Sequence, residues 1–319
     1  MNRAGRKLFT ARSPKIGERA VATGHLPVRA RTNRLAVLLI LPTLIVLVGL
    51  AIYPTLYALW TSLRVYLLYN PAAGRFVGLS NYTHLFEDGF AVKSLWLTGL
   101  WAALVIVLQM SLGMALALLL DRSMRVAGLL RTLFIIPVFI SPIAMGLTWR
   151  FMFEPVSGLV NWALRQMGFS GSLWLSSPNT ALISVLIADT WQWTPFVGLI
   201  LLAGIQSISP EVAEAARLDR VRGFFYLRKI LLPLIWPVVL VVVLIRLVDS
   251  IRVFDLFYIM TRGGPGSSTL VSGVYGFTMF QTGRLSDMAT LGVVILIVIN
   301  ILVTLVLRLL YRQEKKGVA

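Results

Sequence analysis

A run of polar and aromatic residues interrupts a long apolar stretch near the middle of this sequence. It extends from Asp189 to Phe196 and reads Asp-Thr-Trp-Gln-Trp-Thr-Pro-Phe. Carboxylate and amide groups can hydrogen-bond the hydroxyls of a sugar, and an indole can cover the C–H face of its ring. The run therefore has the chemistry of a sugar-binding site. Packing or interfacial anchoring would explain Trp191 or Trp193 equally well when each is taken singly.

A second polar set lies in a later apolar stretch, where arginine and aspartate alternate at every third residue: Arg246, Asp249, Arg252 and Asp255. Residues three apart on a helix are neighbours, so opposite charges in this set can pair. Because ionisable groups are expensive in lipid, this face must turn toward protein, water or a ligand. Internal pairing and solute contact are both open for Asp249. Pairing is favoured for Arg252 and Asp255.

The elements that must position these residues are membrane-spanning helices. Hydrophobic residues make up 57% of the chain and charged residues 13%, whereas a soluble domain carries roughly 25% charged residues. Long apolar runs without alternation exclude a closed barrel. We predict an all-α integral membrane protein with six transmembrane helices, kinked at prolines and broken near Pro195. The six segments are residues 35–63, 95–120, 129–153, 181–206, 234–260 and 288–311.

The distribution of basic residues predicts the orientation of these helices. The chain has a net charge of +17, and 21 of its 30 Lys and Arg fall on one side if the N-terminus is cytoplasmic. That asymmetry follows the positive-inside rule. It predicts a multi-pass protein of the inner or plasma membrane with both termini in the cytoplasm. Residues 1–34 are then a basic cytoplasmic tail, 35–311 the transmembrane domain and 312–319 a C-terminal tail.

The cytoplasmic loop at residues 209–233 is predicted to contain a pair of short helices. Ser209 can cap the first, Pro210 suits its first position, and Glu211 and Glu214 complement the positive end of its dipole. A second amphipathic stretch follows Gly223. The residues alone leave two roles open, a helix lying among lipid headgroups and a docking element for a soluble partner.

This loop resembles the EAA motif of ABC-importer permeases, in which Glu-Ala-Ala is followed by a glycine and later by Ile-x-Leu-Pro. The matching residues are Glu214, Ala215, Ala216, Ile230, Leu232 and Pro233. Arg220 stands at the usual glycine position after Asp219. Either Gly223 relocates the turn or the position accepts a helical residue, because only a required positive φ would exclude arginine.

The resemblance extends from about Val77 to the C-terminal helix and is specific to carbohydrate-type permeases. Family-like stretches include Gly78–Tyr82, Leu130–Pro137, Thr194–Phe196 and Thr261–Pro265. Arg262 replaces a commoner glycine in the last of these. The resemblance implies an ABC-importer permease fold that binds solute near mid-membrane on the two helices flanking the loop.

Carried over position by position, the resemblance names two sets of functional residues. The substrate-binding set is Asp189, Gln192, Trp193, Phe196, Arg246, Asp249 and Ser250. The ATPase-coupling set is Glu214, Ala215, Ala216, Asp219, Arg220 and Gly223. The implied partners are a second homologous permease, two ATP-binding-cassette ATPase subunits, an extracytoplasmic solute-binding protein, membrane lipid and a sugar or polyol.

Other chemistry is not supported by the sequence. Cysteine is absent, the two histidines lie outside the apolar segments, and no phosphate-binding GK[ST] loop or His-Glu-x-x-His motif occurs. We therefore expect no catalytic residue, metal or cofactor in this chain, with ATP and Mg²⁺ bound by the partner ATPase. Basic residues at the ends of apolar runs argue against nucleic-acid binding. The alternatives are an ion-coupled secondary transporter, which would not need the docking loop, and a membrane enzyme.

Overall fold

A computed structural model describes residues 29–67, 70–121, 127–221 and 223–317 of the chain. The predicted tail therefore lies outside the described residues up to position 28. Helix α1 begins at Arg29, inside the segment predicted as a tail. Two compact units divide the chain, residues 1–54 and residues 55–319.

The first unit contains most of the first apolar segment. Its helix α1 (Arg29–Leu47) continues into a π-helical stretch at Val48–Ile52. Both lengths consist mainly of apolar residues, as a membrane-crossing segment requires.

The second unit begins inside α2 (Tyr53–Ser62), and its described part is almost entirely helical. Its helices, with the connecting 3₁₀ and π stretches left out, are α2 (Tyr53–Ser62), α3 (Ser80–Glu87), α4 (Gly89–Leu120), α5 (Ala127–Ile135), α6 (Pro142–Met152), α7 (Leu159–Gln166), α8 (Pro178–Gln206), α9 (Pro210–Leu218), α10 (Gly223–Tyr226), α11 (Leu232–Leu234), α12 (Trp236–Ile251), α13 (Asp255–Met260), α14 (Ser272–Gln281) and α15 (Leu285–Gly317). One antiparallel hairpin interrupts this order, with strands β1 (Arg64–Leu67) and β2 (Asn70–Phe76).

Four stretches of helix in the described part of the chain are long and apolar enough to cross a membrane: Val37–Ser62, Gly89–Leu120, Pro178–Gln206 and Leu285–Tyr311. The number rises to six if each of two bent helix pairs is one span. The first pair, Gly128–Phe139 and Pro142–Met152, bends by 96°, and the second, Gly223–Leu234 and Trp236–Ile251, bends by 78°. Prolines account for both bends, because proline removes a donor and clashes with the preceding turn. The predicted helical membrane architecture is confirmed.

Two predictions about helix continuity were wrong. The fifth segment does not run unbroken to residue 260, because α12 ends at Ile251 and α13 begins only at Asp255. Packing makes this break: the ring of Phe254 stacks on Tyr258 at 5.2 Å between centroids and contacts Phe277 of α14 at the same distance. Conversely, α8 is continuous through Pro195, since transmembrane helices tolerate proline where neighbours satisfy the freed backbone.

The last helix continues beyond the predicted boundary at Tyr311. It ends at Gly317, after a run that includes Arg, Gln, Glu and Lys. These residues are good helix formers. Hydropathy marks where the apolar part ends, but not where the helix itself ends.

Close contact between α4 and α8 sets the geometry of the centre of the unit. A Cβ atom added at Gly113 would lie 2.6 Å from a Val197 methyl group, and one at Gly198 would lie 2.9 Å from Leu116. Small residues of this kind let membrane helices approach closely. This crossing brings Gln109, which lies one turn before Gly113, within reach of α8.

Candidate functional site

A cavity of about 300 Å³ opens where α4, α6, α8 and α12 meet the break before α13. Six of the seven residues predicted to bind substrate line it: Asp189, Gln192, Trp193, Arg246, Asp249 and Ser250. Asp189 and Arg246 are 57 positions apart in sequence and yet lie in the same wall of the cavity. The two helices flanking the cytoplasmic loop are the ones that supply these residues.

At the base of the cavity, three side chains from three helices form a closed hydrogen-bonded set, which we call the Asp189 cluster: Gln109, Asp189 and Arg246. The guanidinium of Arg246 donates from Nη2 to Oδ2 of Asp189 at 2.9 Å and from Nε to Oε1 of Gln109 at 2.8 Å. Nε2 of Gln109 donates to the same carboxylate oxygen at 2.7 Å. Each charge is therefore compensated inside the bundle, as a buried ion pair requires.

Trp193 and Asp249 complete the environment of the guanidinium. The Arg246 Cζ atom lies 4.7 Å from the ring centroid of Trp193, which is cation–π geometry. Asp249 lies 3.8 Å from Nη1, and its side chain is 45% exposed. Arg246 is thus engaged on every side, whereas Asp249 keeps acceptor capacity toward the cavity.

Two members of the predicted set have other surroundings. Phe196 does not line the cavity: its ring meets that of Trp193 edge-on at 5.8 Å and packs against the apolar cluster around Leu201. Position 196 lies about one turn of α8 beyond Gln192, past the cavity. Gln192 lines the cavity but donates from Nε2 to the Ile140 carbonyl at 2.8 Å, and so stabilises the bend before α6.

The alternating charges predicted to pair do so only at one end. Arg246 pairs with Asp249, but among the described residues Arg252 and Asp255 have no ion-pair partner. The end of α12 at Ile251 interrupts the three-residue spacing that pairing requires. Both side chains line the cavity mouth instead.

Sequence reasoning missed several residues of the site and its supporting cluster, among them Gln109, Trp101 and Phe254. Gln109 and Trp101 come from α4, where each sits alone in an apolar run, and Phe254 belongs to the helix break. A polar residue in the middle of a span was the available signal for Gln109. The indole Nε1 of Trp101 is buried without a hydrogen-bond partner in the described part of the chain.

The loop at residues 209–233 forms the predicted helix pair, and its turn lies at Arg220. Helix α9 ends at Leu218, Arg220 has φ of 54°, and the Val221 N–H donates to the Ala216 carbonyl at 2.9 Å. This 6→1 bond with a left-handed residue is a Schellman cap. Arginine therefore occupies the backbone conformation that usually requires glycine, and the turn is not relocated to Gly223.

The coupling residues predicted from the motif are mostly accessible. Glu214, Ala215, Asp219, Arg220 and Gly223 are exposed, while Ala216 is buried. Gly223 also has a positive φ, of 63°.

Arg262 repeats the substitution in the loop after α13. It too replaces a commoner glycine and has a positive φ, of 52°. Arg220 and Arg262 thus both adopt the left-handed backbone conformation that favours glycine.

Comparison with known proteins identifies the family of this chain. Residues 109–316 match the model of the family described as binding-protein-dependent transport system inner membrane component. The trehalose/maltose transport system permease MalF of Thermococcus litoralis is 35% identical over 79% of this chain and 85% of its own length. The sulfoquinovosyl glycerol transport system permease SmoG of Agrobacterium fabrum is 33% identical over 76% and 78%, respectively.

A solved structure shows the same fold. A chain of a bacterial ABC transporter involved in the import of the acidic polysaccharide alginate superposes with a TM-score of 0.76, at 22% identity, over 88% of this chain and 96% of that one. The architecture and the cavity thus define a multi-pass membrane permease. The chain belongs to the binding-protein-dependent transport system inner membrane component family, and is a permease of a binding-protein-dependent ABC importer. The family does not support the ion-coupled alternative.

Proposed function

We propose that this chain is one of two homologous membrane-spanning subunits of an ATP-driven importer whose solute is an uncharged sugar or polyol. The observation that carries the proposal is the convergence of an indole ring, a half-exposed carboxylate and a compensated arginine on one cavity of about 300 Å³. Trehalose and maltose, in the name of one relative, have the chemistry that such a lining suits.

Different residues of this cavity are suited to ring stacking and to hydrogen bonding. Trp193 presents an aromatic surface, and the Arg246 guanidinium contacts its ring and holds it in position. Asp249 offers acceptor oxygens to solute hydroxyls. Trp101 contributes apolar surface to the same cavity. Few, well-placed polar groups among apolar ones are typical of a solute site.

The charges in the lining favour an uncharged solute. Binding an anion is favoured by an excess of positive charge, but the guanidinium of Arg246 is already used by Asp189, Gln109 and Trp193. The remaining charged side chains at the cavity are Asp249, Arg252 and Asp255. Two carboxylates against one arginine leave an excess of negative charge, which repels anions.

Coupling to ATP is assigned to the loop at residues 209–233. Helix α9 presents Glu214, Ala215 and Asp219 to solvent, and Leu218 at its end is 84% exposed. An exposed short helix with an apolar residue at its end fits a cleft in a soluble partner. We assign ATP and Mg²⁺ to two ATPase subunits bound there, and solute delivery to an extracytoplasmic binding protein. Both termini of this chain are then cytoplasmic.

The test is solute uptake by the assembled complex in proteoliposomes, measured against solute concentration. Trp193→Ala should raise the half-saturating concentration about threefold to tenfold, the equivalent of one lost contact. Trp193→Phe, which keeps a ring, should recover most of the loss. Trp191→Ala is the matched control, because Trp191 packs against Trp149 at 5.8 Å and does not line the cavity. Equal effects at positions 191 and 193 would contradict the proposed site.

A further inference from the structure

The connector between α6 and α8, residues 153–177, is held together by a buried polar side chain. Asn161 of α7 is 1% exposed and makes four hydrogen bonds within the connector. Its Nδ2 donates to the carbonyls of Pro155 and Ser172, both at 2.9 Å. Its Oδ1 accepts from the Ser172 N–H and from Nε1 of Trp174. This side chain therefore fixes the connector's two ends against each other.

The charge of α7 is also used internally. Arg165 donates from Nη2 to the Pro155 carbonyl at 3.0 Å and from Nη1 to the Val156 carbonyl at 3.3 Å. Asn161 and Arg165 are four residues apart and so share one side of the helix. Asn161 is buried on that side, whereas Arg165 stays exposed while it hydrogen-bonds the connector's backbone.

The large apolar side chains of the connector point the other way. Six of them are exposed by 57% to 77%: Val156, Leu159, Trp162, Met167, Phe169 and Leu173. A segment in water normally shows the opposite arrangement, with its apolar face on the core. Since Asn161 pins the backbone, these side chains are held outward and cannot collapse onto the bundle.

The flanking helices show what this surface meets. Exposed apolar residues recur at every fourth position of α6, at Ile143, Leu147 and Phe151. Helix α8 carries a second such stripe, which includes Ile183 and Ile187. Stripes of this kind on membrane spans face lipid. Exposed apolar residues thus continue along the chain from one span, through the connector, into the next.

We propose that the connector is a membrane-interface element, with α7 lying on the bilayer surface and its apolar side chains inserted among the lipids. Tryptophan is enriched at this depth, and amphipathic helices bind there by their apolar face. A soluble partner that leaves in each cycle would return the whole patch to water, so the bilayer is the better occupant. The proposal requires only that the chain spans a membrane, so its failure would be distinct from failure of the proposed transport function.

The absence of cysteine from the chain allows a direct test. Single variants Leu159→Cys, Trp162→Cys and Met167→Cys of the full chain would carry a nitroxide in phosphatidylcholine vesicles. Collisions with oxygen, which concentrates in lipid, and with a water-soluble nickel chelate would be compared at each site. Ile187→Cys in α8 is the lipid reference, and His84→Cys in α3, an exposed polar position, is the aqueous one.

We expect the ratio of oxygen to nickel collisions at the connector sites to shift from the His84 value toward the Ile187 value. A ratio equal to that at His84 at all three sites would overturn the proposal and assign the patch to a protein partner. Protection from both reagents would also overturn it, because that is the signature of burial against protein. Three sites are used so that one misfolded variant does not decide the result.

Discussion

An aspartate–arginine pair occurs in two clusters of this molecule that differ in burial. In the Asp189 cluster a carboxylate meets an arginine and an amide between α4, α8 and α12. In a second set, which we call the Asp88 cluster, Asp88 meets Arg284 at 3.5 Å and the hydroxyl of Tyr275 at 2.5 Å. The arginine and carboxylate side chains are 3% and 8% exposed in the first cluster, but 45% and 19% in the second.

The difference in exposure changes what each ion pair does. Inside the bundle, water cannot replace a missing partner, so every group must be matched by another. At the ends of α4 and α15, water is available, and the Asp88 carboxylate also caps a helix by accepting from the Phe90 N–H at 2.9 Å. The buried cluster therefore fixes which helices assemble, whereas the exposed one adjusts how firmly their ends are joined.

Removing one member of the buried cluster should give the largest effect. Asp189→Leu leaves the Arg246 charge without its partner, and we expect a loss of about 3–5 kcal/mol in the free energy of unfolding. The double variant Asp189→Leu/Arg246→Met removes both charges and should recover much of that loss. Unfolding in mixed micelles by increasing SDS would measure both. A double variant no more stable than the single one would show that the pair acts through packing instead.

The same deletion in the exposed cluster should cost less. Asp88→Ala removes the cap of α4 and the acceptor for Tyr275, and we expect a loss of about 1–2 kcal/mol in the same assay. Asp88→Asn keeps an oxygen at the cap and should lose less. If the alanine variant matched Asp189→Leu, the contrast between the two clusters would be wrong.

The pH dependence of the free energy of unfolding provides a control for the effect of the Asp88 substitutions. Burial opposes ionisation of Asp88, but hydrogen bonds from Tyr275 and from the Phe90 and Ala91 N–H groups outweigh it and lower its pKa. Burial and the same carboxylate raise the pKa of Tyr275 to about 12, so the hydroxyl remains a donor. Stability from Asp88 is therefore complete above its unfolded pKa of about 3.9 and lost as pH falls through the lower folded value. Asp88→Asn should not show this acid-dependent loss.

The smallest effect is expected at Arg220, which belongs to neither cluster. Arg220 is exposed and left-handed, so Arg220→Gly should raise the free energy of unfolding by about 0.5–1 kcal/mol through backbone strain alone. Gly223→Ala is the matched opposite, because its φ is 63° and no atom lies within 4 Å of an added Cβ. It should destabilise by about 1 kcal/mol. Shifts in Tm of the same sign for both variants would show that contacts, rather than backbone conformation, control this loop.

Much of the site was accessible from the sequence because membranes make polar residues conspicuous. A carboxylate such as Asp189 in an apolar run has to find a partner, and the spacing of Arg246 from Asp249 allows one. Phe196 lies outside the cavity, and its aromatic character alone does not distinguish a cavity wall from packing. Gln109 was missed because a single amide in a 32-residue helix gives no indication of which helix it meets.

The sequence by itself determined that this chain crosses a membrane through helices and which loop carries the EAA-like motif. These properties follow from local hydrophobicity and backbone chemistry, which do not depend on distant residues. Tertiary structure decided that α12 stops at Ile251, that Gln109 joins Asp189 to Arg246, and that Arg220 adopts a glycine-like φ. Each depends on contacts between residues or on a strained conformation that surrounding bonds maintain, and local residue preferences do not encode such contacts.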